Sequence, residues 1–245
     1  IGARLLVAAD GNRSAVRAAL GIAAREHDYR QTLFVARLRT QRAPDGTAYE
    51  RLTDTGPTAL LPRGDGHYGL VHGVAREEAD AVAALDDAGF IARVQQAFGW
   101  RAGRFLAVGA RSAYPIVGCV ADGLIAPRAV LVGNAAQSLH PLGAQGFNLG
   151  LRDDLTLAAC IAQSDDPGDA AMLARHAQRR AQDRERTIAF SDGLARLTSN
   201  DAPLLQPLRS AGLLAGDAMG WLRGWLVGGA MGYRGDVPAL CRGAA

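Results

Sequence analysis

The chain has 245 residues, 49% of them hydrophobic and 21% charged, which is enough to bury one large core or two smaller ones. Its net charge of +3 comes from 27 basic and 24 acidic residues interspersed along the sequence, with no block of like charge that would mark a nucleic-acid-binding protein. Cys119, Cys160 and Cys241 are far apart and form no C-x-x-C pair, so neither a disulfide framework nor a metal site is expected, and a reducing, cytoplasmic compartment is the simplest reading.

The opening "IGARLLVAADG" predicts a buried strand over 4–9 closed by Asp10-Gly11, and a chain that starts directly on a strand is expected to begin inside a larger unit. Ser14 stands where an N-cap belongs, ahead of a short helix "AVRAAL" that ends at Gly21. Strand-like runs follow over 29–40, 48–53, 58–62 and 67–74, punctuated by "PDG", "GP" and "RGDG", and together they predict an antiparallel sheet. Within them "GDGHYG" satisfies G-x-G-x-x-G, but a strand rather than a helix follows it, so Gly64 and Gly66 are read as hairpin-turn glycines.

A helix capped by Asp86 or Asp87 comes next, with Phe90, Val94 and Phe98 four apart on one face. "RFLAVGARSAYPI" predicts one returning strand that ends at Pro115, and "RAVLVG", 128–133, a short buried one. Beyond the glycine-rich turn that follows, the pattern predicts a helix to about 163, a long helix over about 170–199, and a glycine-broken amphipathic tail too short in its apolar runs to cross a bilayer. The charge run "RHAQRRAQDRER", 175–186, predicts a solvated face with i to i+4 pairs.

The turn between Gly133 and Asn148 carries the chemistry. A helix that starts near Gly146 to Leu149 presents unpaired N–H groups and the positive end of its dipole, which suits a phosphate or a delocalised anion. Glycines upstream let a flat ligand approach the backbone, Pro141 fixes the turn, and Asn134 and Asn148 offer hydrogen bonds at its edges. Spacing alone leaves two readings open: an ordinary strand-to-helix loop, or a backbone laid against a ligand. Ser138 and His140 lack the strained G-x-S-x-G elbow, so a hydrolase is not expected.

"RAVLVGNAAQSLHPLGAQGFNLGLRDDLTLA" resembles the second flavin-binding motif of the class A flavoprotein aromatic hydroxylases, and "LLVAADGNRSAVR" resembles their Asp-Gly motif. "AFGWRAGRFLAVGARSAYPI" and the long helix are similar to the subgroup that hydroxylates polyprenyl phenols in ubiquinone biosynthesis. The resemblance implies an α/β fold, α+β in this stretch: part of an FAD-binding domain over 1–28 and 117–165, an inserted antiparallel sheet substrate domain over 29–116, and a C-terminal helical region over 166–245. No N-terminal G-x-G-x-x-G unit of the family kind is found, so the chain is expected to be a C-terminal portion.

The resemblance further implies FAD as cofactor, with NAD(P)H and dioxygen producing a flavin hydroperoxide that oxygenates a polyprenyl phenol beneath the sheet. It assigns Asp10, Gly11, Gly133, Asn134, Pro141, Gly143, Ala144, Gln145, Gly146, Phe147 and Asn148 to cofactor binding, with Asn134 in place of the usual Asp. Arg111 and Tyr114 are candidates for lining a substrate cavity, or else a surface arginine and a packed tyrosine. Trp221 and Trp225, four apart, suit either packing or shallow contact with a membrane, and other ubiquinone-synthesis proteins are conceivable partners. Two rival readings stand beside this one: a flavin reductase or dehydrogenase on the same scaffold, and a non-catalytic interaction module.

Overall fold

The computed structural model describes residues 2–53 and 55–198, with isolated positions between 212 and 241. Trp225 and most of the tail lie outside the described residues. In chain order the elements are β1 (Leu6–Ala8), α1 (Ala15–Ala19), β2 (Ala24–Thr40), β3 (Tyr49–Thr53), β4 (Gly56–Pro62), β5 (Tyr68–Ala75), α2 (Ala79–Ala83), α3 (Asp87–Phe98) and β6 (Phe105–Val108). They continue with β7 (Ser112–Ala121), β8 (Ile125–Ala126), β9 (Ala129–Leu131), β10 (Gln137–Ser138), α4 (Gln145–Ile161) and α5 (Ala170–Thr198). The chain forms two compact units, one of residues 1–27, 117–195 and 202–245, the other of 28–116 and 196–201. The long helix α5 therefore belongs, up to residue 195, with the first strand and not to a separate helical region.

In the second unit β2, β5, β4 and β3 pair antiparallel in that order, and β6 pairs with β2. Alternation along β2 buries Phe34, Ala36 and Leu38 and leaves Val35, Arg37 and Arg39 exposed, as a sheet covered on one face requires. The covering layer is α3, capped by the Asp86 carboxylate on the Gly89 N–H at 2.7 Å, whose Phe90, Val94 and Phe98 enter the core with Leu60, Leu70 and Phe105. Phe34 meets Phe90 with ring centroids 5.9 Å apart, and Phe98 meets Phe105 at 5.6 Å. Each such side chain, fully buried, contributes about 1.5–3 kcal/mol. On the opposite face Val35, 40% exposed, stands in register with Val71, and Val71 with Ala59, which is buried. The 64–66 turn closes the β4–β5 hairpin, with Gly66 at φ +76°.

The single strand expected over 104–116 is instead two, β6 and β7. The ladder with β2 ends where the Gly109 N–H reaches the Arg37 carbonyl at 2.8 Å, and Arg111 then turns to bond the Leu85 carbonyl at 2.8 Å.

In the first unit β1 and β9 pair parallel, with Leu6 opposite Ala129 and Ala8 opposite Leu131, and β8 pairs antiparallel with β9. β10 pairs with the end of β7, Gln137 opposite Val120. Helices α4 and α5 pack beside these strands around Val130, Val132, Leu157, Cys160, Met172 and Leu173.

The stretch 175–186 of α5 is solvated on one side only, where Arg175, Gln178, Gln182, Glu185 and Arg186 are exposed. His176, Arg180 and Asp183 are buried, and Thr187 and Ser191 continue their stripe at helical spacing. The reason is that α4 offers partners: the Arg180 Nε–H donates to Asp153 at 2.8 Å, and the Arg152 Nε–H donates to Asp183 at 2.7 Å.

Candidate functional site

Two adjacent parallel strands, β1 and β9, deliver the two glycine motifs side by side. The Val132 N–H donates to the Ala8 carbonyl at 3.0 Å, so Asp10-Gly11 and Gly133-Asn134 leave the same edge of the sheet, the carboxyl-terminal one at which α/β sheets bind ligands. Both turns need left-handed backbone, Gly11 at φ +90° and Gly133 at φ +55°, conformations that glycine adopts without strain.

The Asp10 carboxylate accepts from the Ser14 hydroxyl at 2.5 Å and the Val16 N–H at 3.1 Å. The Ser14 hydroxyl, and after it the Val16 N–H, holds that exposed carboxyl below its ordinary range. Arg17, buried, forks to the Asn12 carbonyl at 2.9 Å and the Ala135 carbonyl at 2.8 Å, tying one turn to the other. No periodicity pointed to Arg17; its place within the quoted Asp-Gly motif was the available signal.

The Gly133 turn is held from below by a buried polar network that sequence reasoning missed. Asp153 accepts the Gln137 amide at 2.6 Å and the Arg180 guanidinium at 2.8 Å. Burial pushes the Asp153 carboxyl up against the pull of Arg180. Burial pushes Asp183 up too, but the hydrogen bond from Arg152 and the charge of Arg180 outweigh it and hold that carboxyl down. Arg184 completes the network by donating to the Gln137 side-chain oxygen at 2.7 Å and to the Ala121 carbonyl at 2.6 Å. Gly150 of α4 lies against the turn itself: a Cβ there would stand 3.1 Å from the Gly133 Cα.

The second half of the site is the entry to α4. His140, buried, accepts the Leu142 N–H on Nδ1 at 3.2 Å, and burial pushes its imidazole down to about 4, so the ring is neutral. Pro141 is at φ −69°, Gly143 at φ +76° and Ala144 at φ +50°, so two successive residues are left-handed just before the helix starts at Gln145. No side chain caps that helix. Gly143, Ala144, Phe147 and Asn148 are exposed, Phe147 by 80%, and nothing lies within 4 Å of where a Gly146 Cβ would be. Gln145 differs from its neighbours: its side chain is buried and donates to the Gly143 carbonyl at 3.0 Å, bracing the turn from inside.

A model of the FAD binding domain matches residues 1–191. The chain belongs to the FAD-binding-domain family. Ubiquinone hydroxylase UbiL of Rhodospirillum rubrum is 35% identical over 248 residues, covering 98% of this chain and 58% of that protein. The 3-demethoxyubiquinol 3-hydroxylase of Escherichia coli is 30% identical over 227 residues, covering 91% and 58%. The chain spans about half the length of the curated relatives it matches. Klebsiella pneumoniae HpxO, solved with FAD and uric acid, superposes with a TM-score of 0.71 at 19% identity, covering 94% of this chain and 60% of that one. The anhydrotetracycline hydroxylase OxyS of Streptomyces rimosus does so at 0.67 and 23%, covering 93% and 45%. At such identities the likeness is one of fold, and it bears out the α/β class expected from the flavoprotein hydroxylases.

The residues present in this member of the FAD-binding-domain family fit a flat, anionic ring system. The uncapped start of α4 leaves room at Gly146 for a planar group to meet the backbone, and its dipole favours negative charge there. Exposed Asn134 keeps an acceptor oxygen at the neighbouring turn, without the charge of an aspartate.

Arg111 and Tyr114 do not share a place. Arg111 lines a cavity of about 450 Å³ in the second unit with Phe34, Val108 and Ala113, where its guanidinium lies 5.0 Å from the Phe90 ring and 3.5 Å from Asp87. Tyr114 is exposed on β7, three residues on, and is not part of that lining.

Proposed function

We propose that this chain supplies the ring-side part of the FAD site of a monooxygenase that hydroxylates a polyprenylated phenol in ubiquinone biosynthesis, with NAD(P)H and dioxygen as co-substrates. The observation that carries the reading is the entry to α4: left-handed Gly143 and Ala144, no side-chain cap, and open space at Gly146. The names of the relatives, ubiquinone hydroxylase and 3-demethoxyubiquinol 3-hydroxylase, support the substrate class.

With FAD held there, the chemistry supplied is reduction by NAD(P)H and transfer of one oxygen atom of O2 to an electron-rich ring. The protein's part is position and electrostatics. Backbone N–H groups in the first turn of α4 would stabilise negative charge on the cofactor, and residues 143–147 would hold it through their backbone. Asn134 would offer its acceptor oxygen to the bound cofactor, and Asp10, fixed by Ser14 and Val16, sets the adjoining turn.

The test is the visible spectrum of the purified chain after incubation with FAD and removal of free ligand, followed by NAD(P)H oxidation with a prenylated phenol and mass analysis of the product. A retained flavin band and a product heavier by one oxygen are expected. A colourless protein would refute the ring-side assignment for this chain.

A further inference from the structure

The second unit carries a surface that the flavin reading does not use. Five exposed arginines, Arg39, Arg42, Arg51, Arg101 and Arg104, gather where the end of β2, the start of β6 and the turn after α3 meet. The contacts that assemble them are specific. The Gln41 N–H donates to the Arg104 carbonyl at 2.7 Å, Arg42 packs on Gly103 and reaches the Arg101 carbonyl at 3.4 Å, and Arg51 donates to the Phe98 carbonyl at 3.0 Å. Arg101 lies over the Tyr49 ring at 5.8 Å.

None of the five makes an ion pair among the described residues, whereas Arg37, Arg76 and Arg93 of the same unit each have a carboxylate partner. Within 39–51 and 98–104 they face two acids, Asp45 and Glu50, an excess of three that equals the net charge of the whole chain. Trp100 precedes Arg101 and is 69% exposed, on a turn closed by the Gly103 N–H on its own carbonyl at 2.9 Å. Leu106 is exposed two residues beyond Arg104.

We infer that this surface docks on an anionic lipid bilayer, with the guanidinium groups against headgroup phosphates and Trp100 and Leu106 at the depth of the acyl boundary. Guanidinium is a bidentate donor to phosphate, and tryptophan prefers the membrane interface because its ring is apolar and its N–H is polar. Arg101 and Arg104 follow the exposed turn at Trp100, Arg42 packs on it at Gly103, and Arg51 reaches it at Phe98. A single tryptophan provides no platform for stacking successive bases, so a planar charged surface fits better than a nucleic-acid strand. The docking surface stands independently of the flavin assignment and adds to it a route by which a lipid-borne substrate is met.

The test is co-sedimentation of the full chain with phosphatidylcholine vesicles, with and without phosphatidylglycerol. Binding that requires phosphatidylglycerol and weakens with salt is expected. The triple variant R42Q/R101Q/R104Q, with an unchanged melting curve, should bind about a hundredfold more weakly, at about fivefold per arginine. The corresponding triple lysine variant should keep most of the binding, and W100A should weaken it without altering the salt dependence. Equal binding to neutral vesicles, or a folded triple glutamine variant that binds as the parent does, would overturn the inference. So would binding to a single-stranded oligonucleotide, lost in the triple variant, with no binding to phosphatidylglycerol.

Discussion

Replacing Gly146 with valine separates ligand contact from fold stability, because two glycines one helical turn apart on α4 face different things. Nothing lies within 4 Å of a Cβ built on Gly146, so the fold has room for the new side chain. Helix propensity favours valine over glycine by a few tenths of a kcal/mol, and the melting temperature should shift by no more than about 2 °C. A ring seated on that backbone would be displaced instead, at a cost of about 1–3 kcal/mol, which is roughly 5- to 150-fold in flavin affinity. The assay is an FAD titration followed by flavin fluorescence, with thermal denaturation in parallel. Gly150→Ala is the counterpart: its Cβ would stand 3.1 Å from the Gly133 Cα, a backbone atom that cannot swing away. That variant should lose about 1–3 kcal/mol of stability. Unaltered flavin affinity in Gly146→Val would refute the ring contact, and a large loss of stability there would refute the reasoning about open space.

Asn134→Asp should retain or tighten flavin binding, since the exposed side chain keeps its acceptor and gains charge; a large loss in the same titration would show that the amide N–H is what matters. Asp153→Ala removes one of the two buried carboxylates on Arg180, with Asp183 remaining, and leaves the Gln137 amide without its acceptor, so a urea denaturation should show a loss of about 1–3 kcal/mol, and a loss under about 0.5 kcal/mol would contradict the network. His72, His140 and His176 are held neutral by burial, each pushed from 6.5 down to about 4. The unfolded chain therefore binds more protons than the folded one as the pH falls from about 6.5 to about 4. Stability should be fully present above that window and decline within it by up to about 1.4 kcal/mol per pH unit for each histidine. Urea midpoints that are equal at neutral and mildly acidic pH would rule this out, and His72→Gln should flatten the decline.

What the sequence by itself determined was local. Ser14 and Asp86 announced helix starts because a cap needs only its own next three residues. The β4–β5 hairpin at Gly64–Gly66 was legible for the same reason: a turn preference travels with its glycines, and Gly66 is left-handed. The apolar spacing of Phe90, Val94 and Phe98 announced one buried face of α3.

Tertiary structure decided whatever depended on a partner far along the chain. A row of alternating charges reads as solvated until Asp153, 27 residues away, is seen to receive Arg180; burial of a charge is set by its counter-charge, and that has no periodicity. Gln137, Arg17 and Gly150 matter through contacts that no spacing rule encodes. The separation of Arg111 from Tyr114 followed from where the β2 ladder ends. The meeting of Arg42, Arg51, Arg101 and Arg104 near the end of α3 has the same origin, because charge that is evenly spread in sequence becomes a patch only when strands and turns bring it together.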